Sequence, residues 1–266
     1  MKILFSGCSF SVGYGLEGER DDHDNYCNML AREYFSGATV KNIGVNGYPN
    51  LNIYLDSAAE LYGEHYDYAF VGWTSYPRHL FGVGLDSQDD GVRLIMSRGR
   101  GRPWNLRSFN GSDLSFSEDF LNDYREKFLL THNDHFEIVD IIKYVNLLKA
   151  QCQQSKTKIY FLNNLCPWDN GYFDYQTDVV PSNLTDYTQG LLNIDRRTDD
   201  QIKILYNRIH NDYKLSGGIH PQSWLNLYSS FKSIQCDTGN DNKHPGPISH
   251  NNYGKLLVEQ LAQLEQ

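Results

Sequence analysis

Residues 2–13 read Lys2-Ile3-Leu4-Phe5-Ser6-Gly7-Cys8-Ser9-Phe10-Ser11-Val12-Gly13, and their change of character at Gly7 sets the architecture. The apolar run over 2–6 stops at a glycine, as a buried parallel strand does. A serine hydroxyl follows at the turn where such a strand gives way to a helix. The same unit then recurs. Tyr26, Met29, Leu30 and Tyr34 are spaced for a helix over 25–35, and residues 39–45 (TVKNIGV) read as a second strand closing on Asn46-Gly47. Residues 52–61 predict a second helix and 67–73 (DYAFVGW) a third strand. Repeated strand–helix alternation is the signature of an open parallel sheet.

The segment from Thr74 to about Ser117 breaks this rhythm. It holds Gly82, Gly84, Gly91, Gly99, Gly101 and Gly111, together with Arg98, Arg100 and Arg102. It reads as a long insertion without regular structure, of the kind that serves as a lid or binding loop. The basic run in it reads as solvated surface. Residues 118–154 are helical in pattern, with a break near His132-Asn133-Asp134, and 157–162 (TKIYFL) form a fourth strand. A second polar insertion covers about 164–198, followed by helical patterns at 199–213 and 223–233. Residues 231–236 fit a short fifth strand as well as the end of that helix. The last helix, 249–264, carries Leu256, Leu257, Leu261 and Leu264. No repeat or linker divides the chain, so 1–266 reads as one domain with two long insertions.

Composition narrows the partners. A formal charge of −9 argues against a general nucleic-acid binder and against anionic membrane surfaces. The apolar run at the N-terminus, Ile3 to Phe5, is too short for a secretion signal, and no stretch reaches the length of a membrane span. Five cysteines without a CxxC pair suggest neither a disulfide framework nor a zinc site, so a reducing, cytoplasmic compartment is expected. The nine histidines show no metal-ligand spacing, and no cofactor motif such as GxGxxG is present. The 19 tyrosines suit sugar-stacking surfaces, although tyrosine standing in for phenylalanine in a polar chain accounts for them too.

In an open parallel sheet, ligands bind beyond the strand ends at a switch in strand order. Three such ends here are Gly7-Cys8-Ser9, Gly44-Val45-Asn46-Gly47 and Gly72-Trp73-Thr74-Ser75. Ser9 is placed to act as a nucleophile, and its own N–H and that of Gly47 can donate to an oxyanion. A serine needs a base, and Asp241-Asn242-Lys243-His244-Pro245 supplies one. An acid three residues before an imidazole can turn back onto Nδ1 and leave Nε2 for the serine. The second His-Pro, His220-Pro221, has Gly217 where the acid would be. Asp237 lacks the three-residue offset to His244. Cys8, beside Ser9, is expected to point away from the site.

Gly7-Cys8-Ser9-Phe10-Ser11, the Asn42-to-Gly47 run, Gly72 and the closing D-x-x-H-P, in that order along the chain, resemble the SGNH/GDSL hydrolases. The resemblance touches the first 75 residues and the C-terminal end. It implies a flavodoxin-like three-layer α/β/α sandwich with a parallel sheet of about five strands. It further implies acyl-ester hydrolysis through an acyl-serine, with Ser9, Asp241 and His244 as triad and a small-molecule or glycan ester as substrate. Ser9, Gly47 and Thr74 would be the oxyanion donors, and Asn46, Trp73, Arg78 and His250 would line the substrate cleft. Two departures stand out. Cys8 replaces the family's usual Asp, and Thr74 stands where the family carries the oxyanion Asn, with a shorter reach. Gly72-Trp73-Thr74-Ser75-x-x-Arg78 and the spacing of His244 and His250 resemble a phage and marine-bacterial branch, which leaves open both a viral origin and a scaffold that binds without turning over.

Overall fold

The computed structural model describes residues 1–17, 24–74, 78–83, 92–97, 105–108, 134–164, 225 and 231–266. β1 (Lys2–Ser6) leads through the one-turn helix α1 (Ser9–Val12) to α2 (Tyr26–Tyr34), β2 (Thr39–Asn42), α3 (Asn50–Gly63) and β3 (Tyr68–Trp73). Then come β4 (Arg78–Val83), β5 (Val92–Ser97), β6 (Asn105–Ser108), α4 (Asp134–Ser155) and β7 (Lys158–Asn163). A 3₁₀ turn at Phe231–Ile234 and α5 (Pro247–Leu264) complete the described elements.

Among the described residues the main sheet has four strands, all parallel, in the order β2-β1-β3-β7. The chain leaves β1 for β2 on one side, then returns past β1 to β3 on the other. Because parallel crossovers are right-handed, this reversal puts α2 and α3 on opposite faces. Phe5, Phe70 and Tyr160 are in register across three strands and stack at 5.0 and 5.5 Å, forming an aromatic row on one face. Phe35, just after α2, packs on Phe70 at 6.0 Å. On the other face Trp73 stacks on Phe161 and meets Tyr144 of α4, which stacks on Tyr54 of α3. α5 joins the α2 layer so closely that a Cβ on Gly254 would stand 3.0 Å from that of Met29. The result is the expected three-layer α/β/α arrangement, with four sheet strands described against about five expected.

The reversal in strand order lies between β1 and β3, where a doubly wound sheet opens a crevice. Both strands end there. The register Ser6↔Val71 brings the segment after β1 alongside the segment after β3, and a Cβ on Gly7 would come within 2.9 Å of the Gly72 carbonyl.

Several expectations need correction. The interval read as a structureless insertion carries a three-stranded antiparallel sheet, β4-β5-β6. Of the glycines in this interval, Gly82 lies within β4, and Gly84, Gly91, Gly99, Gly101 and Gly111 lie outside the described residues. Residues 231–234 form a 3₁₀ turn, so the fifth strand considered at 231–236 is not there. β2 ends at Asn42 rather than residue 45, because the Asn42 side chain turns the backbone by accepting the Gly44 N–H at 3.0 Å. α4 begins at Asp134, where the helical pattern was read as broken. The insertion after Asn164, the helical pattern at 199–213, His220 and the Arg98–Arg102 run lie outside the described residues. No described helix is long and apolar enough to cross a membrane.

Candidate active site

Ser9 opens α1, a single turn between Cys8 and the left-handed Gly13 (φ 79°). So short a helix leaves its terminal carbonyls without internal partners. Neighbouring asparagines supply them: Asn42 Nδ2 donates to the Ser11 carbonyl at 2.8 Å and Asn25 Nδ2 to that of Val12 at 3.3 Å. Below the turn, a closed polar triangle ties it to β7. The Ser11 hydroxyl lies 2.8 Å from Tyr26 Oη, Tyr26 Oη donates to Asn164 Oδ1 at 3.1 Å, and Asn164 Nδ2 donates to Ser11 Oγ at 3.0 Å. Gly7 and Gly72 leave room for it, since a Cβ on either would clash with Ser11 Oγ, and one on Gly72 would also stand 2.4 Å from Asn164 Nδ2. Tyr26 and Asn164 are fully buried, and burial pushes the Tyr26 hydroxyl well above the usual tyrosine range, so it stays a neutral donor.

His244 arrives from the far end of the chain. Its Nε2 lies 3.0 Å from Ser9 Oγ, and its Nδ1 lies 2.5 Å from Asp241 Oδ2. A carboxylate only accepts, so Nδ1 carries the proton and Nε2 presents its lone pair to the serine hydroxyl. Asp241 Oδ1 accepts two backbone N–H bonds, from Lys243 and His244, each at 3.0 Å. Partial burial raises the Asp241 carboxyl, but these bonds and the imidazole outweigh it and hold the group down at about 2. The imidazole is flanked by Phe10 and Tyr14, with ring centroids at 5.7 and 5.0 Å.

The loop itself is built to hold this geometry. Thr238 bridges Pro245, and Gly239 N–H donates to the His244 carbonyl at 2.9 Å. Asp237, the rejected partner for His244, has another task. Its carboxylate accepts the Ile248 and Ser249 N–H groups at 3.0 and 2.7 Å and the Ser249 hydroxyl, capping α5 where the helix dipole favours an anion.

The oxyanion candidates are arranged as follows. Ser9 is the first helical residue, and its N–H has no acceptor within so short a helix. Gly47 sits in the turn after β2 with φ 82°, a left-handed conformation that side chains resist. Thr74 is buried, and its hydroxyl has no hydrogen-bond partner among the described residues. Asn50 fixes it in place: Asn50 Oδ1 accepts the Thr74 N–H at 2.9 Å and Asn50 Nδ2 donates to the Thr74 carbonyl at 3.3 Å.

The substrate-lining candidates fare less well. Asn46 is exposed beside Gly47. Trp73 is 1% exposed and stacked on Phe161, so it is core rather than cleft. His250 is also sealed in the core. It lies against Tyr26 and Phe231, and its Nδ1 accepts the Tyr26 N–H at 3.2 Å. The Arg78 side chain lies outside the described residues. Cys8 is fully buried, as expected of a residue pointing away. The sequence reading missed Asn50, Tyr14 and the Tyr26–Asn164 pair. Asn50 closes the Asn46-Gly47-Tyr48-Pro49-Asn50 run and Tyr14 stands between two glycines, but Tyr26 and Asn164 carried no local signal. Among the described residues no cluster of His, Cys, Asp or Glu is arranged to hold a metal.

A three-layer α/β fold with a Ser–His–Asp hydrogen-bond chain at its strand-order reversal defines the class of site present here. The chain is similar to a lipolytic protein of the G-D-S-L family from Desulfitobacterium hafniense (12% identity, 99% of this chain and 98% of that one, TM-score 0.40). It is also similar to a member of the lipolytic G-D-S-L family from Veillonella parvula (9% identity, 98% and 96%, TM-score 0.39). A third similar structure is a lipase from a goat rumen metagenome (11% identity, 99% and 97%, TM-score 0.41). No protein-family model and no curated protein matches the chain.

Proposed function

We propose that this chain is a serine ester hydrolase of the SGNH/GDSL type, acting on small-molecule or glycan esters, O-acetyl sugars among them. The observation that carries this reading is the continuous chain Ser9 Oγ–His244 Nε2, His244 Nδ1–Asp241. In the reaction, the Ser9 hydroxyl proton passes to His244 Nε2 as Oγ bonds to the ester carbonyl carbon. The imidazolium is held by ionised Asp241. Ser9 N–H, Gly47 N–H and the Thr74 hydroxyl are the donors offered to the carbonyl oxygen as it gains charge. The C–O bond to the alcohol then breaks, and the proton on Nε2 moves to the departing oxygen. Water, deprotonated by His244, attacks the acyl-serine, and the acid is released as Ser9 regains its proton.

A fluorophosphonate probe tests this directly. Wild-type protein should be labelled at Ser9, with Ser9→Ala and His244→Ala unlabelled though folded. Folded wild-type protein that resists labelling would sink the hydrolase reading and leave a scaffold that binds without turnover.

A further inference from the structure

The geometry points to Tyr14 as the residue that selects the alcohol portion of the ester, favouring alcohols that present a flat ring face. This inference rests on the hydrolase reading above and extends it to one side of the cleft.

The argument begins with the imidazole. His244 Nε2 must first take the serine proton and then deliver it to the departing alcohol oxygen, so that oxygen passes close to Nε2. A group that flanks the imidazole on its open side therefore flanks the alcohol. Among the described residues, two rings flank His244. Phe10 is 4% exposed, packs against Phe231 at 5.4 Å and belongs to the core. Tyr14 is 45% exposed, with its ring centroid 5.0 Å from that of His244 at an interplanar angle of 67°. An exposed aromatic of this size at the rim of a buried nucleophile is a contact surface awaiting an apolar or C–H face.

Tyr14 is also fixed in place. Its N–H donates to the Ser9 carbonyl at 3.0 Å, so it moves with the nucleophile. Gly13 and Gly15 on either side are both left-handed, at φ 79° and 93°, which turns the chain sharply. Gly15 in turn binds Asn240 of the histidine loop through its carbonyl at 2.8 Å. The backbone that carries the ring is thus held from both halves of the site, and the ring itself rests on His244. A flat, rigid side chain of this kind contributes contact area at low entropic cost.

The specificity constant kcat/KM reports acylation, the step in which the alcohol leaves; the acetyl-enzyme that follows no longer carries it. Benzyl acetate and ethyl acetate form that same acetyl-enzyme and differ in the ring. In Tyr14→Ala, the ratio of kcat/KM for benzyl over ethyl acetate should fall about fivefold to tenfold, the size of one aromatic contact. Tyr14→Phe should keep the ratio, since the ring remains. O-acetylated methyl glucoside, whose ring is saturated, should follow benzyl acetate. An unchanged ratio in Tyr14→Ala with turnover intact overturns this inference alone. A proportional loss on both esters overturns it as well, because it marks Tyr14 as a support for His244. Absence of any turnover by the wild type overturns the hydrolase reading itself.

Discussion

Asn240 donates its backbone N–H to the Gly15 carbonyl at 2.8 Å, so the loop bearing His244 is bonded directly to the turn bearing Ser9. Two segments more than 200 residues apart in sequence are thereby held in register at a distance that sets the Ser9–His244 contact of 3.0 Å. The contact is tight enough to exclude side chains at two positions. A Cβ on Gly239 would stand 2.4 Å from the Gly15 carbonyl oxygen, and one on Gly15 would stand 3.0 Å from Asp241 Oδ1.

Gly239→Ala should therefore separate His244 from Ser9. The obstacle is backbone, which cannot rotate away as a side chain can. A displacement of about 1 Å at a reacting pair costs roughly a hundredfold in rate. Fluorophosphonate labelling of Ser9 should slow by that order while circular dichroism stays that of a folded chain. Labelling at the wild-type rate would show that the two loops do not set each other's position.

Asp241→Asn should cost activity through the histidine tautomer, since an amide cannot hold Nδ1–H as a carboxylate does. Loss of the carboxylate in such a triad lowers kcat by about ten-thousand-fold. The same substitution has a pH signature in stability. The Asp241 carboxyl is lowered from 3.8 to about 2 in the folded chain, so its contribution is complete above 3.8 and is lost as pH falls through about 2. The wild type should thus exceed Asp241→Asn in Tm at neutral pH, with the gap closing across that acid window. A gap that persists at the bottom of the window would contradict the hydrogen bonding described for this carboxylate.

Thr74→Val keeps shape and removes the hydroxyl. The Thr74 oxygen is buried without a partner among the described residues, so its removal should leave Tm nearly unchanged. If it serves as an oxyanion donor, kcat should fall roughly a hundredfold. Asn50→Ala should also lower kcat by freeing the Thr74 backbone, and it should lower Tm as well, because Asn50 binds both the N–H and the carbonyl of Thr74. Unaltered kcat in Thr74→Val would remove this hydroxyl from the oxyanion site.

Tyr26→Phe should be destabilising despite the near-identical volume. It takes away a donor shared with Ser11 and Asn164, two groups sealed from solvent. Leaving a buried acceptor unsatisfied costs about 1–3 kcal/mol. Urea denaturation should register that loss at unchanged m-value. A stability change near zero would mean the triangle is dispensable to the fold.

The parts of this molecule that were legible in its sequence are those with local chemical signatures. β1, β3 and β7 were readable because each is a short, largely apolar run closed by a turn residue, and β2 because Thr39 and Val40 lead into the Asn46-Gly47 turn signal. Ser9 and the Asp241–His244 pair were readable because a strand–glycine–serine junction and a three-residue offset are both contained in a few positions. Trp73 and His250 were misassigned for a different reason. Trp73 alternates onto the face covered by α3 and α4, and His250 shares the helical stripe of Tyr253, Leu257 and Leu261. Their spacing was visible, but which side would be covered depends on packing between elements far apart in sequence. Asn50, Tyr26 and Asn164 escaped for that same reason, since each gains its partner only when the sheet assembles. In the 78–108 interval, the density of glycines in the sequence outweighed the strand patterns of residues 78–83, 92–97 and 105–108.

Ser9 and His244 are separated by 235 positions, and the clamp between their loops needs Asn240 and the α5 cap at Asp237. During synthesis the first strands emerge long before the segment that would activate their serine. Until residues 241–244 have left the ribosome, Ser9 of the nascent chain has no imidazole partner. The histidine loop runs directly into α5, which packs on α2 at Gly254 and Met29. A chain cut short before residue 237 would lack both His244 and the helix that packs on α2 at Met29.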